Sequence, residues 1–137
     1  MIPINLPNIG KEEIEAVVQV MRSGMLTNSL GAGPKVTEFE KNFAAFAGVK
    51  HAIAVNTGTA ALHAAVLAAK VKADDEVILP SFTFVATAEA VALAGAKIVF
   101  ADIDPQTYTI SSEAIENAIT EKTKAIIPVD LYGIPAK

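Results

Sequence analysis

Cysteine is absent from this chain. That removes disulfides, thiolate metal sites and a cysteine nucleophile, and it suits a reducing cytoplasm. Basic residues are in deficit: 11 Lys and Arg against 15 Asp and Glu give a formal charge of −4. With no basic run and no aromatic-basic patch, a nucleic-acid surface is not expected. No apolar run is both long and unbroken enough to span a bilayer. The nearest, Val85 to Val99, carries Glu89 and Lys97. The start, Met1-Ile2-Pro3-Ile4-Asn5-Leu6-Pro7, has neither the basic beginning nor the apolar core of a secretory leader. His51 and His63 have no second ligand at metal-binding spacing, so no metal site is expected. Neither G-x-G-x-x-G nor G-x-x-x-x-G-K-[ST] occurs, which weakens a generic nucleotide-binding domain. Gly31-Ala32-Gly33 has no strand before it and lacks the third glycine.

What is present is a chain of 137 residues, 52% apolar and rich in Ala and Val, long enough for one domain with a core. The composition suits a sheet covered by helices on both faces. Pro3 and Pro7 keep the opening segment, Ile2 to Ile9, out of helix and central strand. A helix is expected from about Lys11 to Ser23, with Ile14, Val17, Val18 and Met21 on one face, and Gly24 as the glycine after its end. Met25 to Pro34 reads as a loop. A second helix, about Lys35 to Ala47, carries the apolar stripe Val36, Phe39, Phe43 and Phe46, read as core, and Gly48 ends it.

From residue 51 strands and helices alternate. The expected series is strand His51–Val55, helix Thr59–Ala69, strand Glu76–Leu79, helix Phe84–Ala94, strand Lys97–Ala101, helix Ala114–Ile119 and strand Lys124–Val129. Four strands alternating with three helices make a parallel βαβ series with right-handed crossovers. The fold class is α/β, a three-layer α/β/α arrangement with a mostly parallel sheet. In such sheets ligands sit at the carboxyl ends of the strands. That places Asn56–Thr59, Ser81–Phe84, Asp102–Asp104 and Asp130–Gly133 along one edge.

The stretch Val55-Asn56-Thr57-Gly58-Thr59-Ala60-Ala61-Leu62 stands at a strand-to-helix turn. The first amides of a helix have no internal partner and the macrodipole is positive there. Gly58 lets a ligand approach the backbone, and Thr57 and Thr59 add hydroxyls. An ordinary N-cap with a loop glycine explains the same spacing. Phe84, at a helix start, is either a ring that stacks on a flat ligand or core filler. Asp102 and Asp104 read as turn and cap residues before they read as an acid/base pair, and Asp130 alone supports no mechanism.

Several segments together resemble the DegT-type (DegT/StrS) sugar aminotransferases, pyridoxal-phosphate (PLP) enzymes of the aspartate aminotransferase fold (fold type I). They are Ile9 to Ile14, Ser23 to Thr27, Phe39 to Phe43, Ala54 to Leu62, Ala73 to Ile78, Pro80 to Thr87, Thr123 to Val129 and Leu131-Tyr132-Gly133. Each is weak alone; in order and at family spacing they are specific. The resemblance covers the whole length and implies the N-terminal part of the large domain. Residues 1–50 would be a helical arm and 51–137 a βαβ core, with the C-terminal domain absent. It implies pyridoxal 5'-phosphate bound by Thr57, Gly58 and Thr59, with Phe84 stacked on the pyridine ring and Thr27 near the sugar. One departure is Asp130, where many members carry His and others Asp.

The family also uses an Asp paired with the pyridinium nitrogen and, further on, a Lys that forms the Schiff base with the cofactor. Both are expected beyond residue 137, so no catalytic residue is assigned in this chain. Lys50, Lys70 and Lys97 match no such position. The implied parent activity is amino transfer, from glutamate, to a keto group of a nucleotide-linked sugar for polysaccharide biosynthesis. The implied parent is a cytoplasmic homodimer or higher homo-oligomer. This chain by itself is expected to be inactive and to bind PLP weakly or not at all. Two alternatives remain at this point. A sugar dehydratase of the same family has His in place of the Lys, and a non-catalytic regulatory or binding module would have kept only the fold.

Overall fold

The computed structural model describes residues 5–27 and 33–137. The chain divides between Ala54 and Val55 into two compact units. Among the described residues the elements run α1 (Lys11–Ser23), α2 (Pro34–Ala47), α3 (Gly58–Ala68), β1 (Glu76–Pro80), α4 (Ala86–Leu93), β2 (Lys97–Ala101), α5 (Ser112–Ala118) and β3 (Thr123–Ile126).

In the first unit, α1 begins where the Gly10 amide donates to Glu13 Oε2 at 2.7 Å, satisfying one orphan N–H of the first turn. It ends at Gly24, whose φ of 69° is the left-handed conformation that suits glycine. Pro34 opens α2, where a missing N–H costs nothing, and Gly48 closes it at φ 68°. The aromatic stripe of α2 is not core, contrary to the expectation from its spacing. Phe39, Phe43 and Phe46 are all exposed, Phe46 at 89%. The rings instead follow one another along the helix surface, with centroids 5.7 and 6.3 Å apart. Helical periodicity creates an apolar face, but burial needs a second surface laid over it. Within this unit α2 buries only Ala44, and α1 buries nothing. Residues 28–32 of the expected loop, with Gly31 and Ala32 of the glycine pair, lie outside the described residues, as do residues 1–4 of the opening segment.

The second unit is built on a parallel sheet of order β2-β1-β3. The expected first strand, His51–Val55, is not a strand: it joins no ladder, and Ile53 is 83% exposed. An apolar run becomes a strand only when another backbone pairs with it, and no described segment does. The sheet therefore has three strands where four were expected. β3 also stops at Ile126, although the Ile127 amide still donates to the Ile78 carbonyl at 2.8 Å. Central β1 is buried along its whole length, as expected of a strand covered on both faces. Val77 and Leu79 face one side, packed with Val66 and Leu62 of α3 and with Ala90 and Val91 of α4. Ile78 faces the other side, packed near Ala114, Ile115 and Ala118 of α5. Each of these fully covered β1 side chains contributes about 1.5–3 kcal/mol of burial.

This order explains the layers. The chain steps from β1 to β2 on one side and then back across β1 to β3. With both crossovers right-handed, the connecting helices fall on opposite faces. So α4 shares one face with α3, and α5 lies on the other. The α/β/α class follows, with its ligand edge at the carboxyl ends of the strands.

Candidate functional site

Both helices of the first face begin at that edge. α4 leaves the carboxyl end of β1 and runs back to the start of β2. α3 ends in a compact return into β1: the Val71 amide donates to the Val66 carbonyl and the Asp75 amide to the Lys72 carbonyl. Thus α3 also runs against the strands, and its N-terminus, like that of α4, lies at the carboxyl edge. Two positive helix ends share that edge.

Thr57 is the N-cap of α3, in an extended conformation (φ −151°, ψ 159°). Its Oγ1 accepts from the Ala60 amide at 3.0 Å, and its carbonyl accepts the Ala61 amide at 3.1 Å. Among the described residues the amides of Gly58 and Thr59 have no acceptor. The ordinary N-cap therefore exists and satisfies Ala60, yet it leaves two amides of the first turn open. The Thr57 hydroxyl proton also stays available, because its oxygen acts there as acceptor only. Gly58 is helical, and a Cβ built on it would meet nothing within 4 Å. The backbone does not require glycine there; the space in front of it is open.

Phe84 lies between β1 and α4, just ahead of the helix it was expected to open. It is 76% exposed, so it fills no core within this chain. Its backbone is nonetheless held. The Thr87 amide donates to the Phe84 carbonyl at 3.1 Å, and the hydroxyls of Thr83 and Thr87 share a hydrogen bond of 2.9 Å. The spacing of Thr83 and Thr87 across a helix start carried that signal in the sequence. In the loop between β2 and α5, the Tyr108 ring lies 6.0 Å from that of Phe82, tilted by 55°. Nothing local in the sequence announced this pair.

Of the carboxylates at the edge, Asp104 is a turn residue, as its sequence context indicated. Asp104 Oδ1 accepts the amides of Gln106 at 2.7 Å and Thr107 at 3.3 Å. Asp130 Oδ1 accepts the Ala136 amide at 2.9 Å. Among the described residues there is no group of three or more potential metal ligands. Thr27 is exposed at the end of the described segment after α1, in the first unit. At the opposite, amino end of the sheet, Glu76 is buried between Lys97 Nζ at 2.8 Å and the Thr120 hydroxyl at 2.6 Å. Those hydrogen bonds, Lys97 first, hold its carboxyl below the ordinary range. This is an ion pair of the fold, remote from the candidate site.

The start of α3 fits a phosphate ester. It offers two unpartnered amides, hydroxyls on Thr57 and Thr59, open space at Gly58 and the positive end of an 11-residue helix. The exposed Phe84 ring, on a tethered backbone at the same sheet edge, fits a flat aromatic ligand.

The family model of the DegT/DnrJ/EryC1/StrS aminotransferases matches residues 7–137. The spore coat polysaccharide biosynthesis protein SpsC of Bacillus subtilis is 48% identical over 132 residues, 96% of this chain and 33% of that protein. A Streptococcus pneumoniae protein named as a sugar aminotransferase, Spr1654, is 38% identical, with a TM-score of 0.92 over 98% of this chain and 33% of its own. It is solved in a PLP-form and also in a PMP-form. An aminotransferase from Psychrobacter cryohalolentis is 39% identical, with a TM-score of 0.89 over 94% of this chain and 32% of its own. The chain thus spans about a third of the length of these relatives.

Proposed function

This chain belongs to the DegT/DnrJ/EryC1/StrS aminotransferase family, and from that premise we propose that it is the cofactor-anchoring part of a PLP-dependent sugar aminotransferase. In this reading it forms the N-terminal part of the large domain. The groups that carry out amino transfer would lie in the length of the relatives that this chain does not span. The bound cofactor supplies an electrophilic carbonyl and an electron-accepting ring. This chain's own residues bind and orient. The Gly58 and Thr59 amides donate to the phosphate dianion, and the Thr57 and Thr59 hydroxyls add donors. Phe84 covers one face of the ring and excludes water from it. Thr27 contacts the sugar. The acceptor is a nucleotide-linked keto sugar, the donor glutamate, and the assembly a cytoplasmic homodimer or higher homo-oligomer.

The observation that supports this reading is the open first turn of α3, where two amides lack acceptors and the glycine faces free space. Titration of the chain with pyridoxal 5'-phosphate tests it. Weak, reversible binding that inorganic phosphate displaces is expected. Binding indifferent to phosphate, or covalent capture by one of this chain's own lysines, would overturn it.

A further inference from the structure

An aromatic ring that is three-quarters exposed has no packing to fix its direction. Exposed side chains change rotamer in picoseconds to nanoseconds, so a stacking surface at such a position depends on how firmly its backbone is held. Phe84 is in this situation, at 76% exposure. The residue before it and its own carbonyl are both tied to one residue, Thr87. Thr83, before it, shares a hydroxyl hydrogen bond of 2.9 Å with Thr87, and the Phe84 carbonyl accepts the Thr87 amide at 3.1 Å. Thr87 is itself buried in the first turn of α4, which packs on β1 and α3. The loop 81–85 is held at its ends, where the Ser81 amide donates to the Ala101 carbonyl at 3.2 Å and the Val85 carbonyl accepts the Ala88 and Glu89 amides at 3.0 Å, and Thr87 ties down its middle, at Thr83 and Phe84.

We propose that Thr87, acting through its hydroxyl bond to Thr83, is a positioning residue that sets the direction of the Phe84 ring. The proposal rests on the reading above that Phe84 stacks on the cofactor. Valine in place of Thr87 keeps the shape of the side chain and deletes the bond, leaving Thr83 without its side-chain tether while the backbone bonds of the loop remain. The ring then samples directions that miss the ligand. Serine keeps the hydroxyl and therefore the tether.

The chain has no tryptophan, so Phe84→Trp introduces a single indole as reporter at the position in question. In the full chain carrying Phe84→Trp, fluorescence anisotropy without ligand reads the mobility of the ring directly. Adding Thr87→Val is expected to lower the anisotropy while far-UV circular dichroism stays unchanged, and Thr87→Ser is expected to restore it. Thr83→Ala removes the same bond from its less buried partner and is expected to act alike. It decides the matter if Thr87→Val does not fold. Unchanged anisotropy in both variants would overturn the proposal. Quenching by pyridoxal 5'-phosphate is the second arm. Its half-point should rise about fivefold in Thr87→Val, the worth of one hydrogen bond in an equilibrium constant. If pyridoxal 5'-phosphate quenches no variant, the cofactor reading of Phe84 fails, and the anisotropy still decides whether Thr87 holds the ring.

Discussion

Alanine at position 58 separates the two roles a glycine can have at a helix start. Gly58 is the first residue of α3, is not in the left-handed region, and would place a Cβ in space with no atom within 4 Å. Without bound ligand the substitution therefore strains nothing, and it removes the conformational freedom that makes glycine a poor helix residue. The expected gain is about 0.5–1 kcal/mol. For a unit of this size that raises Tm by about 2–8 °C. Toward a phosphate ester the sign reverses. Cα–Cβ bonds tilt toward the helix N-terminus, so the methyl group enters the volume that the anion needs. Losing one charge-assisted hydrogen bond costs about 1.5–3 kcal/mol, a fall in affinity of about tenfold to a hundredfold. Thermal melts followed by circular dichroism read the first effect, and pyridoxal 5'-phosphate titration with and without inorganic phosphate reads the second. A lower melting point would mean that the glycine is structurally required. A higher one with unchanged affinity would mean that the phosphate does not sit at this helix start.

Three further outcomes follow from the same geometry. Thr57→Ala strips the cap from the Ala60 amide and should cost about 1 kcal/mol in urea titration, whereas Thr57→Ser should cost little. Leu79→Ala, at a fully buried position of the central strand, should cost about 2–5 kcal/mol; a loss under 1 kcal/mol would show that the sheet core is looser than its burial implies. Glu76 has a carboxyl held below its ordinary value of 4.5, by Lys97 first and then by Thr120. A depressed folded-state value contributes stability that is present above the unfolded value and lost as pH falls through the folded one. Urea midpoints of the unaltered chain should therefore exceed those of Glu76→Gln at neutral pH, and the gap should close on acidification below about 4.5.

Local punctuation made most elements readable. Gly24 and Gly48 end α1 and α2 because a left-handed residue closes a helix cheaply, and Lys97–Ala101 stands as a strand with the expected limits. The run of motifs from Ile9 to Gly133 carried the family, since those motifs keep their order and spacing. By itself, then, the sequence determined the class, the alternation after residue 55 and the polar turn Thr57–Thr59, because each depends on residues within a few positions of one another. Tertiary structure decided everything that depends on what lies alongside. Among the described residues, His51–Val55 has strand composition but no pairing backbone, and the Phe stripe of α2 has helical period but no covering surface within its unit. The ionisation of Glu76 is shifted downward by Lys97, 21 residues away, and Thr120, 44 away. Phe82 meets Tyr108 only because β1 and β2 are neighbours in the sheet. Propensity is written along the chain, while pairing, burial and ionisation belong to contacts that only folding creates.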